Sequence, residues 1–533
     1  MNPIRNLRGV FQYLILFLLL FTVSVVHAQP VYGLVPYPQE VHATRDSLDL
    51  SHGLFCPDEL FVQQLRSLLP TLPVNHPSKE HRPEITFHLR SGLGKKRAHQ
   101  EEGYTLRITP KKIMVEAASE KGFFYALQTL RQLVFQYNDT KKLPCLDITD
   151  YPRFQWRGMH LDCCRHFFTV PEVKQYIDML SMYKMNVFHW HLTDDQGWRI
   201  EIKKYPRLTS VGGWRSGSMI GKYSDHTYDS IRYGGSYLQD EIRDVVAYAA
   251  ARHITVVPEI EMPGHSMAAL SAYPQYACFP KAFEVEKGWG VFDDVFCTKD
   301  STLQFIKDVL DEVCALFPSA YIHIGGDECP KTRWKACPQC QQRIKTERLN
   351  NEEQLQSWFV QTIEKYLNGK GKKIIGWDEI LEGGLAPNAA VMSWRGEEGG
   401  LAAASQSHPV VMTPGRYCYF DHYQDTPVSK EPLAIGGYTP LARVYSYNPI
   451  PEKLAPEKAQ YILGAQGNVW TEYITSFQGV QYMSTPRICA LAEVLWTYPK
   501  ERNYNDFIHR LTLHSYLLDR LQINYCPSFL YPR

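Results

Sequence analysis

The sequence predicts an α/β protein: a (β/α)8 barrel preceded by a smaller α+β domain. Three observations carry that expectation. After Arg153, short apolar and β-branched runs alternate with amphipathic helical segments, enough for eight βα units in series. Each run ends in polar or aromatic residues, as strands do when their C-terminal ends converge on a pocket. Before Tyr151-Pro152 the rhythm differs, with half-buried strands and one long helix but no cluster of reactive side chains.

At the N-terminus, Arg5 and Arg8 precede a largely apolar run over 10–26, and Val26-His27-Ala28 offers the small residues of a cleavage site. Residues 1–28 therefore read as an export signal, cut before Gln29, that delivers the chain to a periplasm or the exterior. An uncleaved anchor is the rival, because the run is near the lower limit for a span. The small residues favour cleavage, which leaves no stable membrane span in the mature chain. No cysteine stands at the cleavage point, which argues against a lipid anchor.

Residues 29–150 form the expected supporting domain. Strands are predicted over 85–89, 104–108 and 113–115, and a helix over 122–135 carries Phe124, Leu127, Leu130 and Leu133 on related faces. Residues 151–533 form the expected barrel. Its strand ends are Met159-His160-Leu161-Asp162, Val187-Phe188-His189-Trp190-His191, Thr255-Val256-Val257-Pro258-Glu259 and Tyr321-Ile322-His323-Ile324. Ile374-Ile375-Gly376-Trp377, Val391-Met392-Ser393-Trp394, Val410-Val411-Met412 and Ile462-Leu463-Gly464-Ala465-Gln466 follow. Helices are predicted over 239–252, 302–316 and 352–367, with a closing helix over 503–522. A long irregular segment follows the seventh unit.

Lys+Arg 57 against Asp+Glu 56 leaves almost no net charge, which points away from nucleic acid and from an electrostatic hold on membranes. The 13% aromatic content, with 11 Trp, suits a protein that stacks on flat apolar faces, sugars among them. Thirteen cysteines are an odd number, so at least one stays free if the others pair within the chain. Cys278 and Cys297 bracket a loop and are the best candidates for a bridge. Cys337-Pro338-Gln339-Cys340, with Cys329 upstream, has zinc-ligand character, but no second pair of finger spacing follows, so no metal is expected.

In Tyr321-Ile322-His323-Ile324-Gly325-Gly326-Asp327-Glu328, an apolar strand stops at two glycines and delivers two adjacent carboxylates. The glycines allow a sharp turn and close approach of a ligand. Two carboxylates so close repel as anions, so one proton should be held more tightly than usual. Two chemistries compete for this rim. His189-Trp190-His191, with His160 and Asp162, has the spacing of a metal-dependent barrel hydrolase, but the later strand ends supply carboxylates and tryptophans rather than further histidine ligands. Glycoside hydrolysis instead needs a protonated acid, anionic help near the anomeric carbon and aromatic walls. Trp377, Trp394 and Trp470 fall at or near strand ends, and Arg165 and Glu472 are placed to fix hydroxyls.

With these residues in view, the chain resembles the family 20 glycoside hydrolases, the β-N-acetylhexosaminidases. The resemblance rests on Trp156-Arg157-Gly158 through Arg165-His166-Phe167, on 186–199, on Pro258-Glu259-Ile260-Glu261-Met262-Pro263-Gly264-His265, and on 323–328. It continues through Gly376-Trp377-Asp378-Glu379 and Asn468-Val469-Trp470-Thr471-Glu472 and covers nearly the whole mature chain. It implies an exo-acting, retaining, cofactor-free enzyme acting on oligosaccharides or glycoconjugates with a terminal β-N-acetylhexosamine. A lacto-N-biosidase-like member of the family, which removes a disaccharide, is the internal rival.

The resemblance also implies roles. Glu328 matches the general acid, and Asp327 the acceptor of the substrate's acetamide N–H. That acetamide, not an enzyme carboxylate, then attacks the anomeric carbon to give an oxazolinium ion. Tyr419 matches the donor to the acetamide oxygen, and Asp421 a contact to outer hydroxyls. Arg165 and Glu472 match a clamp on the other hydroxyls; Trp377, Trp394 and Trp470 a box around acetamide and ring; His265 with Asp194 a supporting polar pair. Cys163-Cys164 and Glu261 depart from the family's usual residues. A neighbouring anion and indole walls are expected to raise the pKa of Glu328.

Overall fold

The computed structural model describes residues 32–75, 82–91 and 101–531. The expected export signal lies outside them. Ahead of the barrel is a five-stranded sheet of β1 (Glu40–Asp49), β2 (Glu84–Leu89), β3 (Tyr104–Ile108), β4 (Lys112–Ala117) and β5 (Lys142–Asp150), in the spatial order β1-β5-β3-β4-β2. Only the β2/β4 pair is parallel. Helix α1 (Glu120–Gln136) starts at Ser119, whose hydroxyl accepts the Lys121 N–H, and buries Phe123, Leu127 and Leu130 against β3 and β4.

Eight parallel strands then close a barrel: β6 (Trp156–Asp162), β7 (Val187–His191), β8 (Thr255–Glu259), β9 (Tyr321–His323), β10 (Lys373–Trp377), β11 (Ala390–Ser393), β12 (Val410–Met412) and β13 (Ile462–Gly467), which returns to β6. Every predicted barrel strand has its counterpart. Strands covered on both faces can be apolar throughout, so they read as continuous runs in the sequence. Trp156, Val187, Val257, Ile375, Trp377, Met392 and Val411 fill the interior. Helices between the strands bury their apolar stripes on the outside; one example is Glu352–Asn368, capped where Asn351 Oδ1 accepts the Gln354 N–H at 3.0 Å. The predicted closing helix runs over Tyr504–Arg520.

From Gly33 onward the chain is one compact unit. The sheet meets the barrel at the N-terminal ends of the barrel strands, through buried charge. Arg157, at the start of β6, donates through both terminal nitrogens to the Glu102 carboxylate, each at 3.0 Å. Lys184 Nζ, just before β7, lies 2.8 Å from Asp150 Oδ2, and Trp496 Nε1 donates to Asp150 Oδ1 at 2.7 Å. Burial alone would raise the Glu102 pKa, but the Arg157 guanidinium outweighs it and holds the carboxyl below its usual range. Removing one partner of such a pair leaves a buried charge uncompensated. Arg157→Ala is therefore expected to lower the unfolding free energy by about 3–5 kcal/mol, with the far rim of the barrel intact. Denaturant unfolding measures this, and a loss under about 1 kcal/mol would place the pair among exposed bridges of little worth.

Candidate active site

The rim opposite that interface is assembled by strand register. Asp162 pairs with His191, His191 with Glu259, and Glu259 with His323, so four polar side chains from four adjacent strands lie in one layer. Glu259 is their centre. Its Oε1 accepts from Trp377 Nε1 at 2.8 Å and lies 2.9 Å from His323 Nδ1; its Oε2 meets His191 Nδ1 and lies 3.1 Å from His189 Nε2. Burial penalises the Glu259 charge, but the imidazoles of His323, His191 and His189 outweigh it and hold its pKa well below the usual range. Burial likewise opposes charge on His191, and Glu259 and Asp194 override it, pushing that ring up to about 10. His189 and His191 are thus part of a hydrogen-bonded floor against the Trp377 indole, with His323 completing it from β9, whereas Trp190 faces outward against Phe188 and Tyr237.

Above this floor β9 turns. Gly325 and Gly326 have φ of +65° and +94°, a region L side chains rarely adopt. At Gly325 a Cβ would stand 1.7 Å from Glu261 Oε2, so glycine is required there for space as well as for conformation. Glu328 itself has φ of +45°, and this strained conformation turns it toward the same imidazole as Asp327. His265 Nε2 lies 3.5 Å from Asp327 Oδ2 and 3.6 Å from Glu328 Oε2. The other face of His265 is held by two aspartates. Its Nδ1 is 2.9 Å from Asp195 Oδ2 and 3.3 Å from Asp194 Oδ1. The closer partner is therefore Asp195, whereas Asp194 mainly links His191 Nε2, at 2.8 Å, to Arg165, at 3.0 Å.

These contacts reverse one expectation. Glu328 is not raised: the His265 imidazole, 3.6 Å away, is the largest influence on it and holds its pKa below the usual carboxylate value, and the burial that would raise it is weaker because its side chain is still 42% exposed. Asp327 is the member of the pair that is pushed up, to about 6, by burial, with His265 opposing and Glu259 and Glu328 adding to the rise. The sequence shows two neighbouring acids but not that only one of them is covered. Burial disfavours charge on His265, yet Asp194 and Asp327 carry its pKa well above that of a free imidazole.

The walls come from the remaining strand ends. Arg165 follows β6; its NH1 lies 3.2 Å from Asp162 and 3.7 Å from Glu472, and its guanidinium sits 5.1 Å from the Trp470 ring centre. Trp394 follows β11 and donates through Nε1 to Glu379 Oε2 at 3.0 Å. Tyr419 stacks on Trp394, with centroids 6.1 Å apart and planes 14° from parallel. Burial and the neighbouring carboxylates, Asp421 first, keep its phenol well above its ordinary pKa and therefore a proton donor. Backbone bonds from Phe420 N to Asn468 O at 2.7 Å and from Asn468 N to Cys418 O at 2.8 Å tie the Tyr419–Asp421 segment to the Trp470 loop.

Together these side chains enclose a pocket of about 330 Å³ lined by Arg165, His265, Asp327, Glu328, Trp377, Trp394, Tyr419, Asp421, Trp470 and Glu472. The structure thus brings the predicted residues together, with Asp194 one contact behind them. Three carboxylate oxygens here, Asp327 Oδ1, Asp421 Oδ1 and Glu472 Oε2, are buried and accept no hydrogen bond from the protein. His422, Ile435, Gly436 and Gly437 also line the pocket and were not anticipated. They lie in the long segment after β12, which has no periodicity to read. Larger cavities of about 510 and 700 Å³ occur elsewhere, but neither gathers the strand-end carboxylates and tryptophans, so volume does not locate the site.

Comparison with known proteins agrees with this geometry. Residues 154–499 match the model of the glycosyl hydrolase family 20 catalytic domain, and residues 31–151 that of family 20 domain 2. A beta-hexosaminidase from Porphyromonas gingivalis is 51% identical over 435 residues, covering 80% of this chain and 55% of the relative. A beta-hexosaminidase from Vibrio furnissii is 40% identical over 400 residues, covering 74% of this chain and 65% of the relative. The chain thus spans little more than half to two thirds of these curated relatives. Among solved structures, a β-N-acetylhexosaminidase from Bacteroides fragilis superposes with a TM-score of 0.78 at 34% identity, over 94% of this chain and 99% of that one. An exo β-N-acetylglucosaminidase from Vibrio harveyi gives a TM-score of 0.79 at 33% identity, over 93% and 79%. With its barrel, its rim and both family domains matched in order, the chain belongs to glycoside hydrolase family 20.

Proposed function

We propose that this protein is an exo-acting β-N-acetylhexosaminidase that releases terminal β-linked N-acetylglucosamine or N-acetylgalactosamine with retention of configuration, using the substrate's acetamide as nucleophile. The observation that carries the proposal is the placement of the acids. Asp327 and Glu328 converge on one imidazole nitrogen from adjacent positions, so they share one wall of the pocket. An enzyme nucleophile and its acid must instead face each other across the sugar, about 5 Å apart. Glu379 and Asp421 are poor candidates for that nucleophile, because burial pushes them up, to about 8 for Glu379 and well above the usual range for Asp421.

In the first step the Glu328 carboxyl gives its proton to the glycosidic oxygen as the C1–O bond breaks. The acetamide oxygen bonds to C1, Asp327 accepts the N–H whose acidity grows as the oxazolinium ring closes, and Tyr419 donates to the acetamide oxygen. In the second step the Glu328 carboxylate takes a proton from water, which attacks C1 and reopens the ring. Two inversions give net retention. Glu328 must be protonated to begin, and a bound sugar that covers its exposed face would supply the desolvation the free site lacks. The unpartnered oxygens of Asp421 and Glu472 are placed to take hydroxyls of the non-reducing sugar. A pocket of this size is near the lower limit for small-molecule sites, roughly 300–1,000 Å³, which favours one sugar over the disaccharide of a lacto-N-biosidase.

Reporters carrying N-acetylglucosaminide, N-acetylgalactosaminide and lacto-N-bioside test the assignment. Cleavage of either monosaccharide is expected, and turnover of the disaccharide alone would overturn the exo-monosaccharide reading. The pH dependence has a definite sign. Asp327 works as an anion and its pKa stands at about 6, so kcat/KM should fall as pH drops through that value. His265 lowers both acids of the pair; His265→Phe should therefore move the acidic limb to higher pH, and an unmoved limb would remove His265 from that role. Export is proposed on the N-terminal residues alone, and a mature secreted chain not starting at Gln29 would count against the cleavage site.

A further inference from the structure

Four cysteines outside the pocket form a cluster that the glycosidase reading does not use. Cys278, Cys297, Cys337 and Cys340 present their sulfurs within 4.8 Å of one another. Cys278 Sγ lies 3.7 Å from Cys340 Sγ, Cys297 Sγ lies 3.7 Å from Cys340 Sγ, and Cys297 Sγ lies 3.9 Å from Cys337 Sγ. None of the thirteen cysteines is bridged, so the expected Cys278–Cys297 disulfide is not formed. The spacing explains why. A disulfide bond is about 2.05 Å long, whereas four sulfurs about 2.3 Å from a central zinc stand about 3.8 Å apart at the edges of a tetrahedron. The three separations given match the second figure, and the other three pairs stay within 4.8 Å. Cys329, upstream of the Cys-Pro-Gln-Cys run, lies outside the set, and the missing pair is Cys278 and Cys297. Cys278 and Cys297 flank a single antiparallel bridge between Ala277 and Phe296, which brings them face to face with the start of helix Pro338–Thr346.

We propose that these four cysteines hold one zinc ion as a closed, structural tetrathiolate site. Three of the four are buried, and Val295, Trp334 and Leu355 pack around them, as a closed site requires. Lys299 Nζ donates to the Ala277 carbonyl at 3.3 Å, which puts a cation beside a site whose four thiolates and one Zn²⁺ sum to a charge of −2. The position gives the ion its role. Phe296, next to Cys297, donates its N–H to Pro263 O at 3.0 Å, two residues before His265. Cys329 follows Glu328 directly, and a Cβ on Gly264 would stand 3.3 Å from its Cα. The metal would therefore hold Cys297, beside the loop that carries His265, against Cys337 and Cys340, on the segment that follows the Asp327-Glu328 turn, and so acts on both only by positioning.

The test uses the full chain purified under reducing conditions without chelator. One zinc per chain is expected by elemental analysis, lost in Cys340→Ser and Cys297→Ser and retained in Cys314→Ser, a cysteine outside the cluster. Stripping the metal should release four titratable thiols, lower Tm by at least about 5 °C, and lower kcat more than it changes KM, with recovery on adding Zn²⁺. Should the serine variants fail to fold, the zinc content and thiol count of the unsubstituted protein decide alone. Absence of stoichiometric zinc, or an intact mass lowered by the hydrogens lost to disulfides among these cysteines, would overturn the site.

Discussion

Glu328→Gln is expected to slow the hydrolysis of N-acetylhexosaminides with poor leaving groups by roughly 10²–10⁴-fold, the usual worth of a positioned general acid, while substrates with activated aryl leaving groups lose far less. The amide keeps the size of the side chain and its place at φ +45°, so the turn and its contacts to His265 survive. What is lost is a proton for the departing oxygen and, in the second step, a base for water. Leaving-group dependence therefore separates this role from simple damage to the fold. Equal losses on both classes of substrate would assign Glu328 to binding instead. The structure adds a condition. In the free site Glu328 is held in its ionised form by His265, so its protonation has to be brought about by the substrate that covers it.

Asp327→Ala is expected to lower kcat by about 10²–10³-fold, comparable to removing a preorganised partner of developing charge, with a much smaller change in KM. Its Oδ1 is buried and unpartnered while its Oδ2 faces His265. That arrangement leaves one oxygen for an N–H whose positive character grows only as the acetamide closes on C1. An interaction that strengthens along the reaction coordinate appears in kcat, whereas one made equally in the bound substrate appears in KM. A rise in KM at constant kcat would make Asp327 a binding residue.

Much of the fold is legible because buried parallel strands leave an unmistakable trace. The runs ending at His191, Glu259 and Trp377 are almost wholly buried, with side chains covered on both faces, and their β-branched and aromatic residues mark them as strands of a covered sheet. The first sheet is harder to read. β1 has one buried side chain, Leu48, in ten residues, and β5 contains Pro144, so neither shows clear alternation. The site residues at strand ends are legible for the same reason as the strands. Their electrostatics are not, because the direction of the Glu328 shift depends on His265, which reaches the pair only through a left-handed backbone turn 63 residues away in sequence. The same holds for the cysteines. Cys337 and Cys340 announce a ligand pair by spacing, but Cys278 and Cys297 become their partners only through the packing of one βα loop on the next.

In the proposed mechanism the nucleophile belongs to the substrate. This is tested most directly by measuring kcat/KM on one aryl glycoside whose 2-acetamido methyl group carries zero, one, two or three fluorines. Each fluorine withdraws electrons from the carbonyl oxygen without changing the sugar or the leaving group. Attack by that oxygen predicts a steep, progressive fall across the series, with the trifluoro substrate nearly inert. Rates that stay level across the series would show that an enzyme carboxylate attacks C1 and would contradict the mechanism.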